Sequence, residues 1–132
     1  MAKKRSDFVD KLYYYSATVI EVVDGDTVKV HADLGFRFKW EQRSLRLAGI
    51  NAPEMSSEDP SILAKAQAAK AFLQTLVKPD DIVLIHTHTD VPDKYGRILA
   101  DVWVNPKDDS LSNLMLASKL VRRWDGKGEK PV

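Results

Sequence analysis

The chain has 132 residues, 44% hydrophobic and 30% charged, and a formal net charge of +1. That length and balance describe one globular domain with a single core and exclude a disordered chain. No cysteine is present, which excludes disulfides, thiolate metal sites and a cysteine nucleophile. No apolar run reaches membrane-spanning length, so no membrane partner is expected. Any grip on a polyanion must come from locally placed basic groups, because the overall charge supplies little field.

In chain order, Met1-Ala2-Lys3-Lys4-Arg5 has the charge of a signal-peptide start, but Ser6-Asp7-Phe8-Val9-Asp10-Lys11 follows instead of an apolar stretch. The chain as it stands is therefore expected in the cytoplasm, or outside the cell if a leader was removed. Tyr13 to Val23 is rich in aromatic, Thr and β-branched residues and predicts a strand. Asp24-Gly25-Asp26 is a turn signal, and Thr27 to Ala32 resumes with Val28 and Val30 on one face and Lys29 and His31 on the other. After a turn at Leu34-Gly35-Phe36, Phe38 to Ile50 predicts a third strand, completing a meander. Asp59 then offers a helix cap and Pro60 a first turn. Ile62, Ala66, Ala69, Leu73 and Leu76 recur at spacings of three and four until Lys78-Pro79. Asp81 to Thr89 and Arg97 to Val104 predict two further strands, and Ser110 to Lys119 a short helix. This order predicts an α+β, mainly β architecture: a five-stranded OB-type barrel with two or three flanking helices, as one domain over 1–132. Its core is expected over about 13–124, with 1–12 and 125–132 loose.

Three segments carry the chemistry: Asp24-Gly25-Asp26-Thr27, then Arg46-Leu47-Ala48-Gly49-Ile50-Asn51-Ala52-Pro53-Glu54, then Asp93-Lys94-Tyr95-Gly96-Arg97. Singly, each has a structural explanation as a turn former, a solvent-facing strand residue or a charged hairpin loop. Jointly they bring two guanidiniums, a glutamate and several hard oxygens to one end of a barrel. Guanidiniums facing carboxylates around a hard cation suit attack on a phosphodiester.

On these segments, and on Asn113 at the start of the last helix, the chain resembles the staphylococcal (micrococcal) nuclease family, from about Thr18 to Trp124. The resemblance implies an OB-fold endonuclease that hydrolyses DNA or RNA with Ca²⁺ and little sequence preference, favouring single-stranded or unwound substrate. It implies Arg46, Glu54 and Arg97 as catalytic residues, Asp26, Asn51 and the Ala52 carbonyl as the calcium site, and Lys94, Tyr95 and Trp124 as substrate contacts. A monomer is expected. One departure stands out: Asn51 occupies a position where the family has aspartate, so the cation is expected to bind more weakly. The alternative reading is a non-catalytic nucleic-acid-binding OB domain whose metal site has decayed; a carboxylate at Glu54 among phosphates argues against it. His86 and His88 share a strand face without an evident third zinc ligand and are read as structural or exposed. Trp40, Trp103 and Tyr13 to Tyr15 are read as barrel packing.

Overall fold

The structure is a computed structural model and describes residues 3–88 and 96–125. Long strands alternate buried and exposed residues and close into a barrel in the order β1 (Tyr14–Asp24), β2 (Thr27–Gly35), β3 (Phe38–Leu47), β6 (Ile98–Trp103), β5 (Ile82–Thr87). All neighbours are antiparallel except β3 and β6, which run parallel over Leu45–Leu47 and Ile98–Ala100. That three-pair seam closes the ring. Val30, Leu45, Leu47, Ile85 and Ala100 fill the interior and are almost completely buried. This is the mainly β, five-stranded barrel that the alternation predicts.

The helix over Pro60–Leu76, α1, begins where expected: the Asp59 carboxylate accepts from the Ser61 N–H at 2.9 Å and Pro60 opens the first turn. Hydrogen bonds from the Ser61 hydroxyl, also at 2.9 Å, and then from its N–H hold the Asp59 carboxyl below its usual pKa. Ala66, Ala69 and Leu73 form its buried face. A second helix, α2 (Leu111–Ser118), is capped by Ser110, whose hydroxyl accepts from Asn113 N–H at 3.3 Å, and Lys119 ends it in the left-handed conformation. A 3-10 turn over Arg5–Lys11, with no buried residue, occupies part of the N-terminal segment read as loose.

The third strand is shorter than expected. It stops at Leu47 because the chain turns at Ala48-Gly49, where Gly49 takes φ +81°. Ile50–Asn51 is then a separate strand, β4, which pairs with β7 (Arg122–Arg123). This ribbon was not anticipated; two residues are too few to show a period. It places Trp124, whose N–H donates to the Gly49 carbonyl at 2.9 Å, beside the end of β3.

Candidate active site

An open cleft of about 420 Å³ lies where the β1–β2 turn, the end of β3, the segment after β4 and the entry to β6 meet. Its lining includes Asp24, Asp26, Thr27, Ser44, Arg46, Asn51, Ala52, Glu54 and Arg97. Six of the nine residues nominated from sequence therefore border one cavity: Arg46, Glu54, Arg97, Asp26, Asn51 and Ala52. Trp124 stands behind it, and Lys94 and Tyr95 lie outside the described residues.

The floor is buried and interlocked. Gly25 lets the acidic turn press against α1; a Cβ there would stand 2.7 Å from that of Ala69 and 3.0 Å from that of Ala52. The turn is thereby seated so that Asp26 faces inward. Its Oδ1 accepts from the Thr27 hydroxyl at 2.9 Å, and its Oδ2 from the Ala52 N–H at 2.8 Å. The same Oδ2 lies 3.3 Å from Arg46 Nη1. Arg46, only 6% exposed, also donates through Nη1 to the Ile50 carbonyl at 2.8 Å and through Nη2 to Asn51 Oδ1 at 3.0 Å. The Trp124 ring covers its guanidinium, centroid to Cζ 5.7 Å. Strand alternation alone would set Arg46 toward solvent. The β4–β7 ribbon and Trp124 roof it instead.

The rim is more exposed. Glu54 is exposed and Arg97 half-buried. Arg97 Nη1 reaches the Thr27 hydroxyl at 3.4 Å, across the seam from the strand that carries Arg46. Asp24, read from sequence as a turn former alongside Asp26, belongs to the cleft as well. Burial pushes its carboxyl above the usual value, and the nearby Asp26 and Glu54 carboxylates push in the same direction, against Lys70 and Arg97. Three carboxylates thus share one cavity with two guanidiniums. The dipeptide Asp-Gly could have drawn attention to Asp24, but its turn preference masks any further role.

The donors available to a cation here are oxygens, the chemistry that suits a hard ion such as Ca²⁺. They fit with one adjustment. Asn51 Oδ1 and both Asp26 oxygens are already engaged within the floor, whereas Asp24 and Glu54 add carboxylates that the sequence reading did not assign to the cation. Among the described residues, no three His, Cys, Asp or Glu side chains are drawn together as a ready-made metal cluster. Elsewhere, Asp101 Oδ2 stands 3.2 Å from His88 Nε2 and 4.0 Å from His86 Nδ1, and the His86 ring stacks on Tyr14. Trp40 and Tyr15 pack against the core as expected, whereas Tyr14 is 41% exposed.

A closed OB-type barrel with an arginine- and carboxylate-lined cleft beside its seam defines the class. The chain matches the family model described as staphylococcal nuclease homologue over residues 44–124, and it belongs to that family. It is similar to a thermonuclease of Staphylococcus intermedius, at 29% identity over 108 residues, 82% of this chain and 58% of the relative. An uncharacterized protein of Methanocaldococcus jannaschii is 27% identical over 125 residues, covering 81% of this chain and 57% of its own. Endonuclease YhcR of Bacillus subtilis is 28% identical over 93 residues, 67% of this chain but 7% of the larger protein. The chain thus spans little more than half the length of the first two relatives. No helix among the described residues is long and apolar enough to cross a membrane.

Proposed function

We propose that the chain is a nuclease that hydrolyses phosphodiester bonds of DNA or RNA, with little sequence preference and with Ca²⁺ in the cleft. The observation that carries this reading is the convergence of Arg46, Arg97 and Glu54 with Asp24 and Asp26 in one cavity. Family membership and the nuclease names of two relatives support it.

Attack on a phosphodiester builds negative charge on the phosphorus oxygens in the transition state. Planar guanidiniums match that charge with fixed, paired donors. Arg46 needs little reorganisation at that moment, because Ile50, Asn51 and Asp26 hold it in place. Arg97 approaches from the opposite lip. Glu54 is the carboxylate that accepts the proton of the attacking water. Asp24, Glu54 and the Ala52 carbonyl would hold the cation, with Asp26 and Asn51 shared with Arg46. Bound there, Ca²⁺ would supply polarisation of the phosphate and a more acidic water. Trp124 and, outside the described residues, Lys94 and Tyr95 are the proposed substrate contacts. The favoured substrate is single-stranded or unwound, and the catalytic unit is a monomer.

Incubation of the protein with labelled single-stranded DNA, in calcium or in chelator, tests the proposal. Cutting that requires calcium supports it. Binding without cutting under both conditions would replace it with the non-catalytic binder, a reading to which the engagement of Asn51 by Arg46 lends some weight.

A further inference from the structure

The hairpin joining β2 to β3 carries a surface that the cleft does not use. Its tip reads Leu34-Gly35-Phe36-Arg37-Phe38-Lys39-Trp40, and Phe36 is 96% exposed, Phe38 69% and Leu34 42%. Phe38 and Trp40, two apart on β3, share the face that Ala32 occupies on β2, while Lys39 pairs with Asp33 on the other face. Trp40 packs partly against the core, and the Arg43 guanidinium lies over its ring at 5.4 Å. The tip is built rather than frayed. Gly35, Phe36 and Arg37 all take left-handed φ, and the Gly35 N–H donates to Asp33 Oδ1 at 2.9 Å. A bulge at Gln42, whose N–H donates to His31 Nδ1 at 3.1 Å, brings Trp40 onto the inward face beside Ala32.

We infer that this tip is a second nucleic-acid contact, a stacking platform for unpaired bases of a strand that also enters the cleft. The inference rests on the nuclease reading proposed above. Exposed aromatic rings offer a face to any base, and interleaved cations track the phosphates. Between positions 33 and 43, Arg37, Lys39 and Arg43 stand against Asp33, the strand partner of Lys39, and Glu41, so cations outnumber carboxylates by one on the tip and lie between its exposed rings. That is the local grip that the overall charge fails to supply. The tip and the cleft lie at opposite ends of β3: from Phe38 to Arg46 the strand, bent by the bulge at Gln42, spans at most about 26 Å, the reach of about eight stacked nucleotides. A short oligonucleotide can fill the cleft but cannot reach the tip, whereas a long one can occupy both.

The test is length dependence. Anisotropy of fluorescein-labelled oligothymidylates of about 16 and about four nucleotides is measured in chelator on the whole chain, spanning the usual range of OB-fold site sizes. The Phe36→Ala/Phe38→Ala double variant should bind the long oligomer about tenfold or more weakly and the short one as wild type does. Arg37→Gln/Lys39→Gln, which leaves the rings in place, should weaken the long oligomer and lower its salt slope by about 1.4, the value for two phosphate contacts on a single strand. Equal affinity of wild type and both variants for the long oligomer would overturn the inference. So would a tip-dependent affinity for phosphatidylglycerol vesicles, or tip-dependent dimerisation in sedimentation, unaccompanied by any change in oligomer binding. The two proposals separate cleanly. Tip-dependent binding of a long oligomer that stays uncut in calcium leaves the platform and removes the nuclease; cutting with length-independent affinity does the reverse.

Discussion

The floor and the rim of the cleft hold the same kinds of residue in opposite conditions. On the floor, Arg46 and Asp26 are each 6% exposed and tied to the backbone of the Ile50–Ala52 segment as well as to each other. On the rim, Glu54 is exposed, and Arg97 and Asp24 are half-buried. A buried ion pair contributes to a fold mainly through what its loss would leave behind, an uncompensated charge. Exposed charges contribute little to stability and can be set by what they must do to a ligand. The floor is thus structural before it is chemical, and the rim chemical before it is structural.

Replacing Arg46 should break the floor most severely. Arg46→Ala leaves Asp26 buried without its cation, so urea denaturation should show a loss of about 3–5 kcal/mol together with loss of cleavage. A variant that lost activity at unchanged stability would show that the floor is not held by this pair. The rim should behave differently. Glu54→Gln and Arg97→Ala are each expected to lower the cleavage rate at saturating substrate by about a hundredfold or more. Stability from urea denaturation should fall by no more than about 1 kcal/mol in either variant, well short of the floor variant. Full activity in either variant would remove that residue from the mechanism.

Asp24 tests the boundary between the two regions. Its folded pKa is raised, so its protonated form is the one the fold favours, and stability is lost as pH rises through that folded value. Asp24→Asn removes the charge penalty. It should therefore be more stable than wild type at neutral pH, and the difference should shrink toward zero as pH falls below the ordinary carboxyl value of 3.8. Thermal unfolding in chelator across that range checks this, and a variant less stable than wild type at pH 7 would refute it. The smallest effect is expected at position 51. Asn51→Asp adds a carboxylate, but Arg46 Nη2 at 3.0 Å takes up part of the new charge. Calcium affinity by calorimetry should rise by less than about tenfold, and an unchanged affinity would exclude position 51 from the cation site.

Much of the barrel could be read from alternation, because strands of nine to eleven residues such as β1 and β2 leave several periods to recognise. The capped helix was as plain, since Asp59 and Pro60 precede its regular apolar spacing. What escaped was set by contacts between distant segments. β4 and β7 pair over two residues each, and nothing local marks them. The burial of Arg46 follows from that ribbon, so a strand residue flanked by Leu45 and Leu47 that reads as solvent-facing ends up roofed by Trp124. Asp24 looked like half of a turn, and its place in the cleft depends on how close Gly25 lets α1 approach. Likewise, Asp101 joins His86 and His88 only through the β5–β6 register.

The parallel seam between β3 and β6 is three residue pairs long, and the two arginines sit on either side of it. A phosphate gripped by both would act as a clasp on the shortest join of the ring. Ligand affinity and the mechanical integrity of the barrel are then linked, since whatever binds only the closed form opposes its opening by a free energy that grows with the logarithm of its concentration over Kd. The amides of Leu45–Leu47 and Ile98–Ala100 would register this directly, exchanging with deuterium more slowly when a nucleotide bridges the gap.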